Sequence, residues 1–315
     1  MGSAIVDFAA LVAGVAIIVW GAETFAEHLA AASARLGVTT FALALLLAGA
    51  EPEELATAVA ATLRDAPAVA FGDVIGANAA ICLVALGVGG VLAPLPFGTR
   101  VRRYALFGLP VGVVSVAVAW DGRVARGEGA LLVLLYAGYV AAIWVRERRP
   151  PSLGETVELD EEHGSAGSAG RELALVLAGL AGMVVGATLL VEGVRGLAHS
   201  DGSQARLSLT IVGFATAFEL VVLAWSAARR GISEAVVAAV VGSFAYNATM
   251  TLGVAALVQP LRISDAGLIR APAVAMLTAL ALPIVLARCG GELDRRAGVA
   301  LLVAYPAFIA LSVAT

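Results

Sequence analysis

The chain contains no lysine, so all 20 of its strongly basic residues are arginines, and only 14% of its residues are charged. With no basic patch, nothing points to a nucleic-acid partner. Two cysteines, Cys82 and Cys289, lie in or at the end of apolar segments, which argues against a disulfide framework. The three histidines, His28, His163 and His199, sit at segment ends or in polar connections, and that scatter excludes a soft-metal site. There is no H-E-x-x-H and no nucleophile–base set, so an intramembrane enzyme finds no support. Long polar stretches are lacking too, apart from Arg146 to Gly170.

Apolar sequence fills the rest. Hydrophobic residues make up 60% of the chain and the mean hydropathy is +0.94, well above a soluble domain of roughly 45–50% apolar content. Stretches of about 20 apolar residues recur, and ten segments emerge: Ile5–Ala31, Phe41–Leu63, Ala66–Val91, Tyr104–Trp120, Gly129–Val145, Arg171–Ala198, Leu207–Ala228, Ile232–Val258, Gly267–Ala287 and Ala297–Val313. The expected fold class is an all-α membrane protein of ten transmembrane helices. The first segment lacks a basic leader region, and its Gly21-Ala22-Glu23 recurs as Gly186-Ala187-Thr188, so it reads as a mature helix and not a signal peptide.

Gly49 to Ile81 repeats without a gap in Ala215 to Asn247 at an offset of 166 residues. Under that offset Glu53 falls on Glu219, Arg64 on Arg230, Val74 on Val240 and Gly76 on Gly242. Further on, Leu86-Gly87-Val88 falls on Leu252-Gly253-Val254 and Pro94-Leu95 on Pro260-Leu261. The chain divides into a first five-helix repeat (1–145), a linker (146–170) and a second five-helix repeat (171–315). Five is odd, so the two halves must lie inverted in the bilayer, the geometry that builds a midplane site open to either side in turn. If the N-terminus is outside, Arg64, Arg123, Arg126, Arg195, Arg206, Arg262 and Arg270 face out and the other 13 of the 20 arginines face the cytoplasm. The positive-inside rule therefore places both termini outside and the linker inside, in what reads as a prokaryotic-type plasma membrane. The linker acids Glu155, Glu158, Asp160, Glu161 and Glu162 have no calcium-loop spacing and read as solvated.

Each repeat keeps a carboxylate within apolar sequence, and an ionisable group in hydrocarbon is costly enough to mark a functional site. The surrounding residues resemble the α-repeats of the calcium/cation antiporter superfamily, which holds the sodium/calcium and calcium/proton exchangers. That family's signature is roughly G-T-S-x-P-E-L, then G-N-x-x-G-S-N-x-x-N. Here the first repeat has Gly49-Ala50-Glu51-Pro52-Glu53-Glu54-Leu55 and Gly72-Asp73-Val74-Ile75-Gly76-Ala77-Asn78. The second has Ala215-Thr216-Ala217-Phe218-Glu219-Leu220 and Gly242-Ser243 with Asn247. The resemblance implies a secondary active antiporter moving Ca2+ against Na+ or H+ by alternating access, with inorganic cations and the lipid bilayer as its partners and no cofactor.

The departures matter as much. The family glutamate falls on Glu54 in the first repeat but on Leu220 in the second, where the acid sits one position earlier at Glu219. The last asparagine, a ligand in the exchangers, is kept as Asn247 but is Ile81 in the first half. One position turns a helical side chain by about 100°, so either Glu53 and Glu219 form a displaced pair or a one-residue bulge restores Glu219. The oxygens of Glu54, Glu53, Glu219, Asn247, Thr216 and Ser243, with carbonyls freed where helices break near Gly49, Pro52 and Ala215, suit a hard cation such as calcium. Glu51 reads either as a further ligand or as a solvated or capping acid, and Asp73 and Asn78 either as site residues or as caps. Glu23 and Glu192 read as interfacial, Arg64 and Arg230 as membrane-edge anchors. Glu54 and Glu219 are expected to approach one another at the midplane, with Glu53, Thr216 and Asn247 near them. The alternatives are a protonated interhelical hydrogen bond at these acids, a monovalent cation/proton or Mg2+ exchanger, and a non-transporting receptor or scaffold on a decayed exchanger fold.

Overall fold

The computed structural model describes residues 2–36, 51–147, 169–230, 233–287 and 291–315. Residues 41–50 of the expected second helix, the linker from 148 to 168 with its five acids and His163, and Cys289 lie outside the described residues. Among the described residues, nine helical stretches are long and apolar enough to cross a membrane. The remaining expected span is described from Pro52 onward.

The first half runs α1 (Gly2–Leu36), α2 (Pro52–Leu63), α3 (Pro67–Ala80), a π-turn (Ile81–Ala85), α4 (Leu86–Leu92), β1 (Leu95–Pro96), α5 (Thr99–Val118), β2 (Arg123–Val124) and α6 (Arg126–Glu147). The second runs α7 (Ala169–Leu197), α8 (Asp201–Leu207), a π-turn (Ser208–Val212), α9 (Gly213–Thr216), α10 (Phe218–Arg230), α11 (Ser233–Ala245), a π-turn (Tyr246–Thr251), α12 (Leu252–Val258), β3 (Leu261–Arg262), α13 (Gly267–Leu286), β4 (Glu292–Leu293) and α14 (Arg295–Ala314). In hydrocarbon every backbone polar group needs an internal partner, which is why apolar runs of this length become helices.

Proline sets the starts of α2 and α3. Pro52 and Pro67 stand in the first turn, where the missing N–H costs nothing and φ is already helical. Between those helices Asp65 takes φ 53°, a left-handed turn that aspartate tolerates, and its carboxylate accepts from Gln259 Nε2 at 2.7 Å. The seventh span begins earlier than hydropathy suggests, at Asp201, because Ser200 caps it: the Ser200 hydroxyl accepts from the Ser203 N–H at 3.2 Å.

The duplication is visible in three dimensions. β1 pairs with β4 (Leu95 opposite Leu293) and β2 with β3 (Val124 opposite Leu261), so each two-stranded ribbon joins one half to the other, and Leu95 and Leu261 are offset mates. The π-turns at Ile81–Ala85 and Tyr246–Thr251 also correspond, with Ile81 on Asn247. The stretches Pro67–Leu92 and Val236–Val258 are 83% and 94% buried, against 22% for Ala4–Leu29, so these two spans form the centre and α1 lies outside.

Close backbone approach holds the helices together. α1 packs on α7 through glycines: a Cβ on Gly14 would lie 2.7 Å from the Gly186 carbonyl oxygen, and one on Gly21 would lie 2.7 Å from that of Gly179. Such contacts suit a bilayer, where association depends on dispersion between surfaces that fit. His28 Nδ1 lies 2.7 Å from Glu172 Oε2 at one end of this pair. Arg64 and Arg230 were read as membrane-edge anchors; Arg64 ties the end of α2 to Glu192 on α7, and Arg195 lies 3.6 Å from the same carboxylate.

Candidate functional site

Two helices bring buried acids to the centre. The helix start at Pro52 leaves Glu51 at the N-cap position of α2 and places Glu53 and Glu54 in its first turn. There the free N–H groups and the positive end of the helix dipole favour negative charge. Glu51 and Glu53 are buried, and Glu54 is fully so. The central helix α3 adds Asp73, also fully buried. Asp73 and Glu51 are the acidic groups that act on Glu54 electrostatically.

The second half supplies neutral oxygens around them. Asn247 Nδ2 donates to Glu51 Oε2 at 3.1 Å, and Thr216 Oγ1 donates to Asp73 Oδ1 at 3.1 Å. Thr251 Oγ1 in turn donates to Asn247 Oδ1 at 3.3 Å, fixing which way the amide faces. Ser243 lies beside Glu51 and Thr216 beside Glu54, neither closing a full hydrogen bond to that acid. Among the described residues, Glu51 Oε1, both oxygens of Glu54, Asp73 Oδ2 and Ser243 Oγ are buried without a hydrogen-bond partner. Burying a polar atom unpaired costs about 1–3 kcal/mol and an ionised one more, so several acceptor oxygens left open in one place form a receptacle for positive charge.

Among the described residues no three His, Cys, Asp or Glu side chains converge closely enough to hold a metal alone. Hard cations take six to eight oxygens and draw them from hydroxyls, amides and carbonyls as well as carboxylates.

The candidates separate as follows. The structure brings together Glu51, Glu54, Asp73, Thr216, Ser243 and Asn247. Glu51 stands at the cap position but makes no side-chain cap, and its burial removes the solvated reading. Glu53 lies buried on the same turn, its carbonyl accepting from Thr57 Oγ1 at 2.9 Å. Glu219 is half-buried in the first turn of α10. Asn78 donates to Met276 Sδ at 3.6 Å, tying α3 to α13. A π-turn does occur in this region, at Ser208–Val212, upstream of Glu219. Leu220 and Ile81, which stand where ligands were expected, are both buried. Thr251, which donates to Asn247, is a neighbour of the site beyond the motif residues. A hydroxyl four residues after Asn247, one helical turn on, is the signal for Thr251.

Repeated halves whose broken helices meet at buried acids define a membrane cation exchanger, a carrier and not an enzyme. The chain belongs to the sodium/calcium exchanger protein family, whose pattern it matches over residues 6–145 and 172–314. It is 25% identical to the sodium/calcium exchanger MaX1 of Methanosarcina acetivorans, over 96% of this chain and 97% of that one. With the inner membrane protein YrbG of Escherichia coli it shares 23% identity over 96% and 95% of the two chains. The fold matches that of the sodium-calcium exchanger NCX_Mj with a TM-score of 0.63 and 20% identity, over 97% and 98% of the two chains.

Proposed function

We propose that this protein exchanges Ca2+ against Na+ or H+ by alternating access, with both termini outside a prokaryotic-type plasma membrane. One observation carries the reading: Glu54 is fully buried beside Glu51 and Asp73 with neither of its oxygens hydrogen-bonded. Like charges so placed repel, and a divalent cation among them replaces that repulsion with attraction. Glu54, Glu51, Asp73, Asn247, Thr216 and Ser243 are the proposed first ligands, with Glu53, Glu219 and Asn78 as the remaining candidates. The name of MaX1 supports calcium as cargo. A carboxylate that binds a cation also binds a proton, so the two compete and one site serves both directions.

The test is uptake of labelled Ca2+ into proteoliposomes under imposed Na+ or H+ gradients, with Mg2+ and K+ as competitors. Gradient-driven Ca2+ uptake that excess Ca2+ suppresses and Mg2+ does not is expected. Uptake governed by Mg2+ or K+ overturns calcium as cargo, and absence of any flux favours a receptor or scaffold.

Asn247→Ala is expected to weaken Ca2+ binding by about ten- to a hundredfold, since a hydrogen bond to a charged group is worth about 1.5–3 kcal/mol and the amide oxygen is lost with it. Titration calorimetry on the purified protein checks this. An unchanged affinity removes Asn247 from the shell.

A further inference from the structure

We infer that Tyr136 is a positioning residue for the cation site, acting through Tyr246 and Asn247 on Glu51; the inference rests on the antiport reading above. The chain is only 6% aromatic and has five tyrosines. Four of them, Tyr104, Tyr136, Tyr139 and Tyr246, are buried. Tyr136 and Tyr139 stack with ring centroids 6.3 Å apart. Tyr136 meets Tyr246 edge-on, at 5.4 Å and 82°, a geometry that aromatic rings favour.

Tyr246 opens the π-turn Tyr246–Thr251, and the next residue is Asn247, whose amide donates to Glu51 at 3.1 Å. A π-turn is a wide, locally weak piece of helix and depends on its surroundings to persist. Here α5 braces it, with Ser115 donating to the Ala248 carbonyl, and α6 braces it through the Tyr136 ring. The backbone that carries the amide, whose oxygen Thr251 holds, is thus set at two removes by a residue that is on neither repeat motif. The ring pair Tyr136–Tyr246 is thus a wall behind the turn that carries Asn247. A firm wall fixes how far the oxygens can spread, and cavity size and rigidity separate calcium from magnesium.

The test compares Tyr136→Leu, which removes the ring edge, with Tyr136→Phe, which keeps it, by calorimetric binding of Ca2+ and Mg2+ to the full chain. Tyr136→Leu is expected to weaken Ca2+ binding about tenfold and to narrow the Ca2+/Mg2+ preference, and Tyr136→Phe to restore both. In an Asn247→Ala background Tyr136→Leu is expected to have no further effect on Ca2+ affinity, the non-additivity of residues acting in one line. Full additivity of the two substitutions, or Tyr136→Phe as damaging as Tyr136→Leu, overturns the inference. Near-parental binding by Tyr136→Leu does the same. A parent that binds no cation at all sinks the antiport reading instead, and Tyr136→Leu that fails to fold leaves Tyr246→Leu to decide by the same cycle with Asn247→Ala.

Discussion

Replacing Glu54 with glutamine is expected to abolish cation exchange while leaving the protein folded. Glu54 is fully buried and lies beside Asp73 and Glu51, with both its oxygens open. A unit charge 4 Å from another is worth about 4 kcal/mol at an effective dielectric near 20, so loss of this one against a divalent ion corresponds to about a thousandfold or more in affinity. The fold does not suffer, because glutamine has nearly the same shape and removes a buried charge that repels its neighbours. Flux in proteoliposomes and size-exclusion of the purified variant measure the two halves of this expectation. Proton competition adds a pH sign: apparent cation affinity in the parent falls as pH falls, since protons and cations share the same oxygens. Parental flux through Glu54→Gln across that range would leave the carboxylate mechanism without support.

The second large effect concerns the fold. A Cβ on Gly213 would lie 2.4 Å from the Ala77 nitrogen and 2.6 Å from the Gly76 carbonyl carbon. Both are backbone atoms of the central helix α3, which cannot turn aside as a side chain would. Gly213→Val is expected to cost about 3 kcal/mol or more, the upper end for overpacking, and to leave little folded protein. Gly138, on α6, has nothing within 4 Å of its would-be Cβ, so Gly138→Ala is expected to melt within a few degrees of the parent. Equal thermal stability of the two variants by fluorescence-detected melting would mean that α9 and α3 do not meet as described.

The contrast between these glycines shows where sequence reading stops. Both lie in apolar spans and look alike in the printed chain, yet one faces open space and the other faces backbone. Glu51 poses the same problem. Its position before Pro52 announces a helix start, but whether that start faces water or the protein centre depends on neighbours brought from 196 residues away, where Asn247 meets it. Asp73 likewise reads as a cap or a ligand, and only the fold shows that Thr216, 143 residues on, donates to it. For Leu220 and Ile81 the reverse holds: apolar residues in place of expected ligands were plain from the repeat alignment, and both are buried.

By itself the sequence determined the spans, the duplication and the presence of acids within hydrocarbon. Lipid offers the backbone no hydrogen-bond partner, so an apolar run of about 20 residues has a single good conformation, and an offset of 166 residues needs no coordinates to be read. The tertiary structure alone decided which acids meet, where the π-turns fall, how the ribbons join the two halves, and that Tyr136 meets Tyr246. Lipid tails and apolar side chains are equally good neighbours for a helix, so hydropathy cannot say which face turns inward. That choice is made by close fit between small residues and by the few buried polar groups that must find one another.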